Sequence, residues 1–292
     1  MRLCIVSGAT HHRFYADTNQ RIYAKRHGYD YRFDMGPYDL GTHMARRKVG
    51  FFKISAVERA LPDFDWVFWI DDDAFFTDFD KPLAPFLDGI GPDVFWVACK
   101  SPVNPEGRWS YLSSGQFFIR NCEESFAFLR TVRNVPPEVI KPWWDEQKVG
   151  LSTTGDQDAF VYTLLTDNLL PRVRLMEYQT FNNRWYHYEE RLNEHLIVHF
   201  AGAEKQKRLD IANFAAKFGL DESLVPRSLL REYGVPPRHM ANFALRFGLN
   251  EGLIPQSLLR EYGVAPSRFP HLLDSSRFLA PTRRLWQRLA GE

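Results

Sequence analysis

Trp66-Val67-Phe68-Trp69-Ile70-Asp71-Asp72-Asp73-Ala74 runs from a block of apolar residues straight into three acids. The aromatic and β-branched run suits a buried strand. On an extended backbone, residues i and i+2 point to the same side, about 6.5–7 Å apart at Cα. Asp71 and Asp73 can therefore converge on one cation. Carboxylate oxygens favour Mg²⁺ or Mn²⁺. In an open α/β sheet, ligands bind at the carboxyl ends of strands. The same three acids also fit a solvated turn, or caps for the next segment, and the stretch by itself leaves both readings open.

The flanking sequence decides the fold class. Strands are predicted at Leu3–Ser7, Tyr29–Phe33, Val94–Ala98, Gln116–Ile119 and Leu196–Phe200. Helices are predicted from a cap at Asp17 or Thr18 to His27 with Gly28 as the stop, over Ala45–Ala60 with Pro62 beyond, and over Glu123–Arg133 and Asp156–Thr166. A loop rich in Gly, Pro and Asp separates the second strand from the second helix. Strands alternating with helices imply an α/β layer structure with a mostly parallel central sheet flanked by helices. The first strand–turn–helix carries neither G-x-G-x-x-G nor a P-loop, which argues against a dinucleotide or Walker site.

Three further stretches carry candidate chemistry. Leu196-Ile197-Val198-His199-Phe200-Ala201-Gly202 puts a histidine in a β-branched run, as a core histidine or as a distant metal ligand. Thr153-Thr154-Gly155-Asp156-Gln157-Asp158 places acids in a first helical turn, where they complement the helix dipole and cap free N–H groups. Asp156 and Gln157 could instead project into a pocket. Leu112-Ser113-Ser114-Gly115-Gln116 is a turn into a strand, or a place where small residues admit a ligand to the backbone.

Composition narrows the function. With 45% hydrophobic and 15% aromatic residues the 292-residue chain is no disordered polymer. Lys and Arg number 37 against 36 acids, so no global basic field points to nucleic acid. Three cysteines make no disulfide framework and suit a reducing compartment. No run approaches the roughly 18–20 apolar residues of a membrane span, and the N-terminus reads as a first strand rather than a signal peptide. A cytoplasmic location is the expectation.

The last third differs in character. Residues 212–237 (ANFAAKFGLDESLVPRSLLREYGVPP) return, little changed, as 241–266 (ANFALRFGLNEGLIPQSLLREYGVAP), an offset of 29 residues. Each copy reads as a helical hairpin, with helices ending at Gly219 and Gly234 or at Gly248 and Gly263. Two such hairpins rarely bury their own apolar faces, so they are expected to pack on the preceding domain, on a second copy, or on another protein. Residues 267–292 form a basic amphipathic tail that fits either an anionic membrane surface, at the inner face, or its own protein. The expected organisation is 1–208, a catalytic domain; 209–266, the repeats; and 267–292, the tail.

Taken together, the motifs of the first 205 residues resemble the GT-A nucleotide-sugar glycosyltransferases of the galactosyl/mannosyl/xylosyl group, glycosyltransferase family 34. That family reads roughly W-x-D-S-D-A-x-F-T-D, N-x-G-x-F-x-x-R-N-C, D-Q-x-A and H-F-x-G. The counterparts are Trp69 to Asp78, Ser113 to Cys122, Asp156 to Ala159, and His199 to Gly202; Tyr23 to Asp30 and Lys53 resemble its first nucleotide-binding half. The resemblance implies a GT-A-like, Rossmann-related fold and a metal-dependent retaining transferase that forms an α-linkage. A hexose or pentose would pass from a nucleotide-diphosphate sugar, UDP-linked, to a glycan or glycolipid, as in cell-surface polysaccharide synthesis. Asp71, Asp73 and His199 would hold Mn²⁺ or Mg²⁺. Asp156 and Gln157 would stand at the reacting carbon. Ser7, Gly8, Thr10, Tyr15, Lys53, Asp71, Asp72, Ser114, Gly115, Gly202 and Lys205 would line the donor site. Ser113 stands where the family has Asn, and Ala203-Glu204 precede the lysine that the family places closer to its glycine. The aromatic stretch from Asn182 to Tyr188 would stack on acceptor sugar or fill the core. A metal-dependent phosphoesterase and a non-catalytic scaffold acting through the repeats are the alternatives.

Overall fold

The computed structural model describes residues 1–10, 13–37 and 49–236. The chain divides into two units, Met1–Ala203 and Glu204–Glu292. The first unit contains strands β1 (Leu3–Gly8), β2 (Asp30–Asp34), β3 (Trp66–Ile70), β4 (Ala74–Phe76), β5 (Trp96–Cys99), β6 (Ser113–Arg120), β7 (Val173–Met176) and β8 (Ile197–His199). Its α-helices are α1 (Ala16–His27), α2 (Phe52–Ala60), α3 (Glu123–Asn134), α4 (Pro137–Trp143), α5 (Glu146–Val149) and α6 (Asp156–Thr166).

Six strands form one sheet in the order β2-β1-β3-β6-β5-β7. Only β6 runs against the others, since both of its pairings are antiparallel and the remaining pairings are parallel. The sheet is thus mostly parallel, as expected of a GT-A-like α/β domain. β3 lies between β1 and β6 and is buried at every position, which is why its sequence is apolar without alternation.

Aromatic rings fill both faces of the sheet. On one, Trp96 stacks on Phe160 of α6 at 5.5 Å and touches Phe128 of α3 at 5.5 Å. On the other, Phe68 meets Phe118 at 4.5 Å and Phe181 at 5.7 Å. Each such buried side chain contributes about 1.5–3 kcal/mol. This packing fixes the carboxyl end of β3, where the acids emerge.

Two local expectations are corrected. Neither Asp17 nor Thr18 caps α1: the helix starts at Ala16 with Tyr15 at the N-cap position and no side-chain cap bond. Asp17 sits inside the first turn, and Thr18 is buried within the helix. Gly28 does end it, at φ 69°. The helix predicted over Ala45–Ala60 is shorter. A 3-10 turn covers Val49–Phe51 and α2 begins at Phe52; residues 45–48 lie outside the described residues.

In the second unit, α7 spans Glu204–Phe218 and α8 spans Arg227–Glu232. Gly219 (φ 63°) and Gly234 (φ 66°) follow them in the left-handed conformation. The first repeat copy is therefore a helical hairpin, with α7 starting earlier than the repeat itself. The second copy and the tail 267–292 lie outside the described residues. No helix among the described residues is long and apolar enough to cross a membrane.

Candidate active site

A short two-stranded ribbon assembles the centre. β4 follows the acidic turn at once and pairs antiparallel with β8, which sets Ala74 opposite His199. Phe200 N donates to the Asp73 carbonyl at 3.0 Å, and His199 N donates to the Asn183 carbonyl at 2.8 Å. His199 is thereby delivered against Asp73 across more than a hundred residues of chain. Its Nε2 lies 3.2 Å from Asp73 Oδ1 and 4.0 Å from Asp71 Oδ2. One ligand atom each from Asp71, Asp73 and His199 falls within 4.8 Å of the others.

Two carboxylates and an imidazole suit Mn²⁺ or Mg²⁺. The electrostatics support a cation there. Burial raises the Asp71 pKa; Lys53 lowers it, and Asp73 raises it again by like-charge crowding. Burial and the neighbouring Arg184 lower the His199 pKa against the pull of Asp73. The imidazole is held neutral, which is the ligating form.

Gly115 has a definite steric reason. A Cβ there would meet His199 Cε1 and stand 2.9 Å from Nδ1. The small residue makes room for the histidine ring, where the sequence alone offered either a turn into a strand or room for a ligand. Gly115→Ala is therefore expected to displace His199 and weaken Mn²⁺ binding by about tenfold or more, measurable by calorimetric titration. An unchanged affinity would contradict the packing argument.

Lys53 is buried at 3% side-chain exposure. Its Nζ donates to the Ser114 carbonyl at 2.8 Å and lies 2.8 Å from Asp156 Oδ2 and 3.1 Å from Asp71 Oδ1. Burial opposes its charge, but Asp156 and Asp71 outweigh burial and raise its pKa. Ser114 Oγ adds a 2.8 Å bond to Asp156 Oδ2, and Ser114 N reaches Gln157 Oε1 at 3.4 Å. Gly50 also has a steric role, because a Cβ there would strike the Asp156 carboxylate.

The two acids at the start of α6 have separate functions. Asp158 accepts from the Thr153 and Thr154 backbone N–H groups and from the Ser152 and Thr153 hydroxyls, so it fixes the preceding loop. Thr154 sits in that loop at φ 52°, a costly conformation for a β-branched residue that these bonds sustain. Asp156 faces Lys53 and Ser114 instead.

The structure thus brings together Asp71, Asp73, His199, Lys53, Ser114, Gly115, Asp156 and Gln157. The other expected donor residues are placed differently. Both oxygens of Asp72 accept from Arg13, at 2.6 and 3.1 Å. Ser7 is fully buried, and its Oγ has no hydrogen-bond partner among the described residues. Gly8 is tight against β2, where a Cβ would come within 2.5 Å of the Asp34 carbonyl oxygen. Thr10 is exposed, Tyr15 precedes α1, and Gly202 is exposed at φ 129°. Lys205 belongs to the second unit, and its side chain lies outside the described residues.

Sequence reading missed the supports behind the acids. Gln20 Nε2 donates to the Asp71 carbonyl at 3.1 Å and the Ala74 carbonyl at 2.9 Å, clamping the turn from α1. Trp69 Nε1 donates to Asp71 Oδ1 at 2.7 Å. Arg184, 8% exposed, reaches Asn182 Oδ1 at 2.7 Å and His199 Nδ1 at 3.2 Å. Burial lowers its pKa to about 10, against Asp73 and Asp71. Two of these supports are a buried Gln and a buried Arg, residue types that are seldom fully buried, and only the folded structure gives them partners.

Beside this centre, burial, Arg184 and His195 lower the His187 pKa to about 4. Folded His187 stays neutral down to about pH 4, whereas the unfolded chain takes up a proton near 6.5. Its stability contribution is complete above pH 6.5 and is lost as pH falls toward 4. An NMR titration should give an imidazole midpoint near 4; a midpoint at 6.5 or above would contradict the burial.

The mostly parallel sheet, with an acid-turn and histidine centre at the carboxyl end of β3, defines a GT-A-like α/β fold. Residues 9–87 match the model of the galactosyl transferase GMA12/MNN10 family, and the chain resembles that family. Galactomannan galactosyltransferase 1 of Cyamopsis tetragonoloba is 29% identical over 160 residues, covering 51% of this chain and 35% of that protein. A probable xyloglucan 6-xylosyltransferase 5 of Arabidopsis thaliana is 24% identical over 223 residues, 64% of this chain and 45% of the relative. The chain thus spans about a third to a half of these relatives' lengths. Among solved structures, a glycosyltransferase involved in glycosylation of the major capsid of PBCV-1 superposes with a TM-score of 0.52 at 20% identity, covering 71% of this chain and 98% of that one. It shares the fold.

Proposed function

We propose that this chain is a metal-dependent, retaining glycosyltransferase that moves a hexose or pentose from a UDP-linked sugar to a glycan or glycolipid, forming an α-linkage. The observation that carries the reading is the Asp71–Asp73–His199 cluster set beside a carboxylate, Asp156, that is fixed by Lys53 and Ser114. A galactosyltransferase and a xylosyltransferase among the relatives support a hexose or pentose and a polysaccharide setting.

Asp71, Asp73 and His199 would hold Mn²⁺ or Mg²⁺, which when bound supplies Lewis-acid charge to the diphosphate leaving group. The sugar's bond to phosphate breaks as its bond to the acceptor oxygen forms on the same face, and the acceptor proton passes to the leaving phosphate. Asp156 supplies negative charge to the anomeric centre as positive charge develops there. Its ion pair with Lys53 suits a stationary stabiliser better than a nucleophile. Gln157, held by Ser114 N, orients the donor sugar. The site lacks the layout of a glycoside hydrolase acid–base pair, since Asp156 and Asp71 share one lysine. We also propose that the chain acts in the cytoplasm, with the tail 267–292 meeting the inner membrane face and the repeats joining a second copy.

The test is to incubate the full chain with Mn²⁺, radiolabelled UDP-sugars and oligosaccharide acceptors. The reading predicts UDP release that depends on acceptor, with label appearing on the glycan. Acceptor-independent cleavage to UMP and sugar phosphate would make it a phosphoesterase.

A further inference from the structure

Two tryptophans stand open to solvent, one a few residues before Ser114, which bonds Asp156, and one directly after Arg184, which reaches His199. Trp109 is 38% exposed and Trp185 is 40% exposed, whereas Trp69 and Trp96 are fully buried. Trp109 sits on fixed main chain: its carbonyl accepts from Leu151 N at 2.7 Å, and Ser110 bridges to Gly150. Gly150, at φ 74°, permits that approach, because a Cβ would come within 2.5 Å of the Trp109 carbonyl oxygen. The strand then runs on to Ser114, which bonds Asp156. Trp185 directly follows Arg184, whose guanidinium reaches His199. Its ring meets Tyr186 at 5.6 Å in a T-shaped contact.

The two segments are linked at two points. The turn from Asn104 to Arg108, immediately before Trp109, carries Glu106, which acts electrostatically on the Tyr186 phenol. Asn182 Nδ2 donates to the Lys100 carbonyl at 3.2 Å and ties the two together at their base. Exposing two indoles on fixed backbone has an energetic cost that a ligand would offset. An indole offers a broad apolar face and one N–H donor. A pyranose offers a matching patch of C–H groups rimmed by hydroxyls.

We propose that Trp109 and Trp185 are the stacking walls of an acceptor subsite that takes pyranose units of an oligosaccharide chain. The proposal rests on the transferase reading above and names its acceptor chemistry. The test titrates cellohexaose, mannohexaose and xylohexaose into the full chain with UDP and Mn²⁺ present, by calorimetry and tryptophan fluorescence. At least one hexaose is expected to bind. Trp109→Ala and Trp185→Ala should each weaken it about tenfold or more, with Trp→Phe retaining part of the affinity. UDP affinity in Mn²⁺, titrated separately, should stay within about twofold. Glycan affinity unchanged in the Ala variants, no binding of any hexaose, or a dimer that these variants dissociate would overturn the proposal. If UDP binds and the hexaoses do not, only the acceptor site fails. If UDP itself does not bind, the transferase reading fails and this proposal with it.

Discussion

Lys53→Met is expected to lower the unfolding free energy by about 3 kcal/mol and to remove most activity. Methionine keeps the length and apolar contacts of the side chain but removes the charge. Lys53 bridges Asp71 and Asp156 from a nearly water-free position. Without it, two carboxylates lose their shared counter-charge and the Ser114 carbonyl loses a donor. The figure is at the lower end of what orphaning a buried ion costs, because Asp71 and Asp156 keep 24% and 15% side-chain exposure. Urea unfolding measures it. A change below about 1 kcal/mol, the range of surface pairs, would show that Lys53 does not organise the centre.

Asp73→Ala separates metal binding from folding. It removes a cation ligand, so Mn²⁺-dependent UDP binding is expected to fall by at least about a hundredfold, the upper end of what losing even a ligand's supporting partner costs. Thermal stability without metal should hold or rise slightly. Asp73 is one of the like charges that raise the Asp71 pKa, and its removal relieves that crowding. Calorimetry and a melting curve on the same sample read both effects. Unchanged UDP affinity in Mn²⁺ would sink the metal assignment, whereas a collapsed melting temperature would reassign Asp73 as a structural residue. The contrast with Lys53→Met is the informative part: one variant should unfold easily and the other should bind poorly.

Where chemistry is local, the sequence is a good guide. Trp66–Ile70 and Asp156–Thr166 have the same limits in the structure as in the periodicity, because one is a fully buried strand and the other a helix bounded by Gly155 and a polar turn. Asp71 and Asp73 do converge, but through a turn closed by Ala74 N on the Asp71 carbonyl at 3.1 Å and not through the alternation of extended backbone that the sequence suggested. The family resemblance added His199, which its own β-branched context could not distinguish from a core histidine.

What was illegible depends on long-range pairing. β4 and β8 have three residues each and no strong pattern, and their register against each other is what carries His199 to Asp73. The Lys53 bridge joins segments distant in the chain, with Asp156 more than a hundred residues from Lys53. Nothing in the sequence singles out Gln20, and only the packing of α1 against the acidic turn turns its amide toward the Asp71 and Ala74 carbonyls. Asp156 and Asp158 both read as first-turn acids, with Asp156 alone also read as a pocket residue. Their division into an anchored site carboxylate and a loop cap follows from which one meets Lys53.

The most direct measurement is calorimetric titration of UDP into the full chain with Mn²⁺, with Mg²⁺, and with metal removed by chelation. The account predicts binding that requires a divalent cation and disappears in Asp73→Ala. UDP binding of equal strength with and without metal, or none under any condition, would contradict it.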